Sequence, residues 1–590
     1  MCGIAGFVEF EATRAAAQLE RRVAAMGATL SHRGPDDAGT WVDAGAGVAL
    51  AHRRLSIVDL SAAGHQPMVS SDERYVLSYN GELYDHRELR EELEGAGARF
   101  RGSSDTEVLL ELCQREGVER ALERINGMFA FALWDRRERR LALARDRLGI
   151  KPLYWLRRAK GVAFASELKA LRALEGWTPA LDPEALLAYL RLQYVPAPRT
   201  IYQGVSKLEP GTLLWVEEGL ARPRRYWQLG APGSGEWTTR AEALQRCEEL
   251  LSDSVRRRLA ADVPVGVFLS GGVDSSLVAA LGQRVSPTPL RTFSIGFQSE
   301  ADDEAPYARA VAEHLGCEHT ELYMQSGDAL ALVERLGDLY DEPFADSSQL
   351  PTALLSQLTR SSVTVALAGD GGDELFAGYT RYRDCLELLA KVQRLPAPLR
   401  ELARAARLRT RWAPDWGRGR GARRRLRRAT LRDLREVYLH LTSLWEEPHE
   451  LVEGAAASAL ACSPALRELP ARPPADDPLA PLQRADLLGY LPDDLLTKVD
   501  RASMAASLEV RLPLLDHRLV ELAWSLPSEW ARRWEEPNKP LLRDLLARHV
   551  PRRLTDRPKR GFRVPVEDWL RGPLRSQCEH HFAPARLEQA

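Results

Sequence analysis

The chain of 590 residues sets 81 Lys and Arg against 83 Asp and Glu, a formal net charge of −2, with 28% charged and 45% hydrophobic residues; this balance exerts no global pull toward nucleic acid or membrane. Its length exceeds what one core can organise and predicts about two to four domains. Seven cysteines without a Cys-x-x-Cys pair, no apolar run of about 18 residues and no signal-peptide-like start argue against a disulfide framework, a zinc knuckle and a bilayer span, and predict a cytoplasmic protein.

The first informative stretch is Met1-Cys2-Gly3. Loss of Met1 would leave a cysteine carrying both a thiol and an α-amine. With an amine pKa of roughly 7.7–8.0 and a thiol pKa of about 8.5, the amine can take the thiol proton without a histidine partner. By itself, a Cys at position 2 is more often an ordinary small residue. Next, Leu50-Ala-His-Arg-Arg-Leu-Ser-Ile-Val58 ends in a strand-like run with Arg54 at its start, where a guanidinium can grip a carboxylate with two parallel hydrogen bonds. Tyr75 to Tyr79 alternates as a strand, and Asn80-Gly-Glu82 reads as the turn that closes it. Asn80 and Gly81 offer an amide and an unobstructed N–H, the two parts of an oxyanion hole. Ser103-Ser-Asp-Thr106 precedes a helical pattern. The plain alternatives are a surface ion pair for Arg54, a hairpin turn for Asn80-Gly81 and a helix cap for Asp105.

Turn formers from Tyr194 to Arg199 and from Leu208 to Gly211, then a Gly/Pro/Ser-rich run between Gln228 and Trp237, mark the exit from a first domain. The expected division is residues 2–215, a linker over 216–239, and a second domain over 240–590. In that domain Val263 to Leu269 reads as a buried strand, and Ser270-Gly-Gly-Val-Asp-Ser-Ser276 as a small-residue loop opening a buried helix. Free backbone N–H groups at the positive end of a helix make an anion site. Further strands are expected over 290–297, 319–324 and 363–367, with helices between them, giving a doubly wound parallel sheet whose ligands sit at the carboxyl ends of its strands. Ala368-Gly-Asp-Gly-Gly-Asp-Glu374 follows the last of these as a second glycine-rich loop with three carboxylates. Either loop alone could be a capped turn. Together they suit a nucleotide with a divalent cation. An Arg-rich stretch between Leu395 and Arg435 is expected to be a solvated or salt-bridged surface, with nucleic-acid binding or attraction of an anionic acceptor as the alternatives.

Cys2-Gly-Ile-Ala-Gly6, Ser31-His-Arg-Gly-Pro-Asp36, Arg54-Leu-Ser-Ile57, Tyr79-Asn-Gly-Glu82 and Ser104-Asp105 together resemble the N-terminal-nucleophile (Ntn) glutaminase domain of class II amidotransferases. The resemblance implies an αββα fold in which Cys2 attacks the glutamine amide. Arg54 would then hold the substrate carboxylate, Glu82 and Asp105 its α-amine, and Asn80 with Gly81 the oxyanion. The match also extends to Asp146-Arg-Leu-Gly-Ile-Lys-Pro-Leu-Tyr154, which reads as packing.

The loop at 270–276 resembles the pyrophosphate loop of the ATP pyrophosphatase superfamily, and the whole chain resembles glutamine-hydrolysing asparagine synthetases. Asp341 to Ser348, Lys498 to Met504, Glu509 to Asp516 and Asn538-Lys-Pro540 also match. That resemblance implies an α+β glutaminase followed by an α/β synthetase with a helical C-terminal part. ATP would be bound by Leu269, Ser270, Gly271, Gly272, Asp274, Ser275, Ile295, Gly369 and Asp370, with Leu269 and Ile295 flanking the adenine. Asp274 and Asp373 would hold Mg²⁺, Lys539 would neutralise phosphate charge, and Asp370 would take a proton from attacking ammonia; without the family match Lys539 reads as a surface lysine. Expected partners are L-glutamine and a carboxylate acceptor, most simply L-aspartate, with neither nucleic acid nor membrane; a homodimer is among the assemblies the sequence permits. One departure bears on the acceptor, because several asparagine synthetases carry Glu where this chain has Asp370. The pattern seen here also occurs in relatives that amidate larger carboxylates. A catalytically silent homologue is the alternative from outside the enzyme class.

Overall fold

The computed structural model describes residues 2–587 apart from 11–13, 219, 298–302, 411–425, 446, 453–462, 533–537 and 557–565. Its N-terminal body is built on two six-stranded sheets. The first holds β1 (Gly3–Glu9), β2 (Asp37–Asp43), β3 (Val48–Arg54), β8 (Tyr154–Arg158), β9 (Gly161–Ala165) and β10 (Val205–Lys207) in the order β10-β8-β9-β1-β3-β2. The second holds β4 (Met68–Val69), β5 (Tyr75–Leu83), β6 (Gly127–Asp135), β7 (Arg140–Arg145), β11 (Thr212–Glu217) and β12 (Leu220–Arg225) in the order β12-β11-β7-β6-β5-β4.

Side chains such as Ile4, Val8, Val76, Trp134 and Phe164 fill the space between the sheets. On the outer face of the first sheet, the helix Ala16–Ala28 packs Leu19, Val23 and Met26. On that of the second, Asp105–Glu116 packs Val108 and Leu112. Helix, sheet, sheet and helix therefore stack as the four αββα layers.

Two local expectations change here. Residues 80–82 do not turn: β5 runs through them, with Asn80, Gly81 and Glu82 paired to Ala130, Phe129 and Met128 of β6. Arg54 ends β3 rather than starting a strand. The segment expected as a linker from 216 begins instead as the β11–β12 hairpin, so the connection starts after Arg225. It is pinned to the second body, since Gly233 N–H donates to Trp524 O at 2.9 Å and Gly235 N–H to Ser525 O at 3.0 Å.

In the second body, β13 (Val265–Phe268), β14 (Arg291–Phe297), β15 (Glu318–Met324), β16 (Val365–Leu367) and β17 (Glu509–Arg511) form a sheet in the order β15-β14-β13-β16-β17. All neighbours run parallel. The chain winds outward from β13 through β14 to β15, then returns to the other side of β13 as β16. Such a reversal opens a crevice at the carboxyl ends of the two adjacent strands, here β13 and β16. The 270–276 and 368–374 loops leave those ends. β17 was not foreseen as a strand, and it forms the sheet edge nearest the glutaminase.

The seam between the two bodies is buried and charged. Arg33 donates to both oxygens of Asp500 at 2.8 and 2.9 Å and to Glu167 at 2.8 Å, while Arg501 pairs with Glu167 at 3.0 Å. Lys207 meets Glu342 at 2.7 Å, and Asn126 donates to Asp516 at 2.9 Å. Removing one partner of such a buried pair costs about 3–5 kcal/mol because the other charge is stranded.

Candidate active sites

The first site is assembled where β1 begins. Antiparallel pairing sets Gly3 opposite Arg53, which brings Arg54 beside Cys2. Across the sandwich, Asn80 Oδ1 accepts from the Cys2 N–H at 2.8 Å. The amide orientation leaves Asn80 Nδ2 buried and without a partner among the described residues. An unmet buried donor is expensive unless a ligand meets it. Gly81 is required by its neighbours, since a Cβ there would lie 2.3 Å from Met128 O.

Arg54 is held by the carbonyls of Asp59 and Ser61. Ser104, not Asp105, caps its helix, accepting from Thr106 N–H at 3.1 Å. Asp105 is thereby freed from capping, and its Oδ2 accepts from Leu83 N–H at 2.9 Å. Cys2, Arg54, Gly81, Glu82 and Asp105 line one cavity of about 30 Å³.

Electrostatically this cavity is acidic. Burial, with the Glu509 carboxylate adding to it, pushes the Cys2 thiol up, opposed by the N-terminal ammonium, the Leu55 N–H and Arg54. Burial also lifts Glu82, with Asp105 and Glu509 adding to the effect against Arg511. Asp105 is raised by burial as well.

The second site is a cleft of about 470 Å³ at the β13/β16 crevice. Ser270, Gly272, Asp274 and Ser275 line it from one loop, Gly369, Asp370 and Asp373 from the other, with Leu269 and Ile295 in the wall. Gly271 does not line it; with φ of +72° it packs against Tyr307. The helix Val273–Val285 starts within the loop, with Gly272 at its cap. The Ser270 and Ser275 hydroxyls share a hydrogen bond of 3.0 Å. The loops touch, because a Cβ on Gly372 would meet Asp274 Cγ at 2.4 Å.

Between them stands Lys539, whose Nζ lies 2.5 Å from Asp274 Oδ2 and 2.6 Å from Asp373 Oδ1. At 5% exposure it is not a surface lysine. Burial works against its charge, but the two carboxylates outweigh burial and raise its pKa. Burial also raises Asp370, assisted by Asp274 and Asp373 and opposed by Lys498. Among the described residues, no group of three or more His, Cys, Asp or Glu gathers as a metal cluster.

Several lining residues were not singled out from the sequence. Lys498 donates to Asp346 Oδ2 and Ser348 Oγ, both at 2.7 Å, and faces Asp370. Tyr379 and Tyr490 form an aromatic wall, with the Tyr379 hydroxyl on Glu374. Glu509 reaches the first cavity from β17. The motifs at 341–348, 498–504 and 509–516 carried that signal, but residue type alone gave no reason to choose within them.

Residues 246–590 match the family model described as asparagine synthase, and residues 1–227 match that of a glutamine amidotransferase domain. The chain belongs to the asparagine synthase family. Across that family a Mycobacterium tuberculosis protein, named provisionally as a glutamine-hydrolysing asparagine synthetase, is 37% identical over 97% of this chain and 88% of its own length. Asparagine synthetase 1 of Bacillus subtilis is 33% identical over the same shares. A Gibberella zeae protein named amidase chry2 is 32% identical over 65% of this chain and 60% of its own. This asparagine synthase family member is accordingly a glutamine-dependent, ATP-using amidotransferase with an Ntn-type glutaminase fold ahead of a parallel-sheet synthetase. Among the described residues no helix is long and apolar enough to cross a membrane.

Proposed function

We propose that the protein converts L-aspartate to L-asparagine with glutamine as nitrogen donor, releasing AMP and pyrophosphate. The Cys2 thiolate attacks the glutamine amide carbon, the C–N bond breaks, and ammonia leaves behind a thioester that water hydrolyses to glutamate. Asn80 Nδ2 and the Gly81 N–H take the oxyanion, Arg54 the glutamine carboxylate, and Glu82 with Asp105 its ammonium. In the cleft, a carboxylate oxygen of the acceptor attacks the α-phosphorus of ATP and pyrophosphate departs from the loop at 270–275. Ammonia then attacks the acyl carbon, AMP leaves, and Asp370 accepts the surplus proton. Leu269 and Ile295 flank the adenine.

Asp274 and Asp373 suit Mg²⁺, a hard cation that takes one or two carboxylates together with phosphate oxygens. Their convergence on the Lys539 ammonium supports this, since it marks a point where positive charge is favoured between the loops. Bound there, Mg²⁺ would neutralise pyrophosphate charge. The observation that carries the reading is Asp370, a carboxyl made basic by burial and standing between the Asp274–Lys539–Asp373 cluster and Lys498.

Its short side chain favours a second reading, in which the acceptor is another, larger carboxylate. Cys2→Ala tests the two-site scheme: glutamine-dependent synthesis should vanish while synthesis from free ammonia persists, and Asp274→Ala should remove both. Persistence of glutamine-dependent synthesis in Cys2→Ala would end the proposal.

A further inference from the structure

The synthetase cleft has an aromatic wall to which the adenylation scheme gives no task. Tyr379 and Tyr490 both line the cleft, with ring centroids 6.1 Å apart and planes nearly perpendicular at 79°. The two rings come from different elements. Tyr379 precedes the helix Thr380–Gln393, just after the 368–374 loop, whereas Tyr490 lies in Asp486–Leu495, a segment wound with the wide π repeat that occurs mostly at functional sites. The Tyr379 hydroxyl donates to Glu374, which also lines the cleft.

Behind this wall stands Arg381. Its Cζ lies 4.0 Å from the Tyr379 ring centroid and 4.4 Å from that of Tyr490, both within cation–π range. The guanidinium is held in turn by Asp486, whose Oδ2 accepts from Arg381 Nη2 at 2.5 Å and from Nε at 3.2 Å. The same oxygen accepts from the Tyr382 hydroxyl at 2.5 Å, and Oδ1 accepts from that of Tyr438. Asp486 is fully buried. Burial works against the charge on Arg381, but Asp486 foremost outweighs it and raises the Arg381 pKa, so the cation between the rings persists.

The order of the sheet shows which end of the cleft this wall serves. β13 lies between β14 and β16. Leu269 and Ile295, which flank the adenine in the scheme above, follow β13 and lie on β14. Glu374 and Tyr379 follow β16, on the other side of the 270–276 loop. Tyr490 belongs to one continuous helical run with Lys498, which faces Asp370. The wall is thus on the side away from the adenine, beside the carboxyl that receives the proton from ammonia.

We propose that Arg381 is a positioning residue of the synthetase: by clamping the Tyr379 and Tyr490 rings together it makes a rigid wall that sets the length of the carboxylate acceptor. This rests on the reading of the cleft as the place where a carboxylate is adenylated. Buried ion pairs contribute little net stability, and the Arg381–Asp486 pair acts instead by fixing geometry. A fixed apolar surface distinguishes ligands one methylene apart by about 10–200-fold. Rings that could turn would admit a longer acceptor and hold a short one loosely, so the clamp bears on acceptor binding and discrimination and not on the ATP half of the site.

The test is Arg381→Met in the full-length enzyme, read by ammonia-dependent pyrophosphate release at saturating ATP. The acceptors are the preferred carboxylate of a panel and its homologue longer by one methylene. The KM for the preferred acceptor should rise about tenfold with kcat within about threefold, and the preference over the homologue should fall about fivefold or more. The KM for ATP and the rate of glutamate release should stay within about twofold. Arg381→Lys, which keeps a cation for the rings, should restore part of the preference. Tyr490→Leu, which leaves the Arg381–Asp486 pair in place, should lose the preference in the same way, and it decides the matter if Arg381→Met does not fold. An unchanged acceptor preference in either folded variant would overturn the proposal, as would a KM for ATP that rose in step with that for the acceptor. If no carboxylate stimulated pyrophosphate release by the wild type, the adenylation reading itself would fail first.

Discussion

The two sites differ in how they are walled. The Cys2 cavity, about 30 Å³, is set between sheets, its side chains fixed by strand register and by bonds to backbone. The synthetase cleft, about 470 Å³, lies between two glycine-rich loops, its charges held mainly by one another. The contrast follows from the tasks. A site that takes one small amino acid needs little room. One that must admit a nucleotide and a second substrate needs room. The two bodies meet at β17, whose Glu509 lines the Cys2 cavity and whose Arg511 carbonyl accepts from Ala368 N–H at 2.9 Å beside the second glycine-rich loop.

Predictions can be set against this division, starting with the largest effect. Asp370→Asn removes the proton acceptor of the open site. It should lower amide formation by about 10²–10⁴ while leaving acceptor-dependent exchange of pyrophosphate into ATP intact; loss of the exchange would place Asp370 in the adenylation step instead. Lys539→Ala should lower pyrophosphate release by about 10²–10³ and leave the Cys2 site within about twofold by glutamate release.

Arg33→Met addresses the seam. Breaking its pairs with Asp500 and Glu167 should cost about 3–5 kcal/mol in denaturant unfolding at neutral pH. Burial alone would raise the Asp500 pKa, but Arg33 and Lys151 hold it below the ordinary value. A depressed folded value contributes stability above the unfolded pKa, near 3.9, that is lost as pH falls through the folded one. The penalty of Arg33→Met should shrink in that acid window.

Asp494→Asn should have the smallest effect and the opposite sign. Burial, then Asp346, raises this carboxyl to about 8, and its Oδ1 has no hydrogen-bond partner among the described residues. The folded state holds the proton more tightly than the unfolded one, so stability falls as pH rises from about 4 toward 8. The substitution should raise the thermal midpoint at pH 8 by a few degrees, by roughly 2–4 °C per kcal/mol, with little change at pH 4.

Much of the architecture was legible because it rests on repeated local signals. β13, β14, β15 and β16 are apolar or alternating runs bounded by turn residues, and the glycine-rich loops lie where the strand order reverses. What escaped was set by tertiary context. β17 is three residues long, and its Glu509 and Arg511 look like surface charges although both are fully buried. Asn80-Gly81 is a common turn dipeptide, yet β6 pairs along the whole of β5. β12 reads as linker because Pro223 and three arginines suit an exposed edge strand as well as a loop. Of the Arg-rich stretch, residues 411–425 lie outside the described residues; in its described part Arg404, Arg427 and Arg432 pair with Glu401, Glu447 and Glu436, as expected of a salt-bridged surface. Within the sites, the loops and Cys2 were visible as motifs. Lys498, Asp346 and Glu509 were not, because their roles come from distant elements brought together.

The most direct test of the two-site account feeds amide-¹⁵N glutamine, ATP and a panel of carboxylates headed by L-aspartate, and counts labelled amide, AMP and pyrophosphate together. The account predicts one AMP and one pyrophosphate per labelled amide, with aspartate the preferred acceptor. Release of ADP and phosphate instead, or labelled amide formed without AMP, would contradict it.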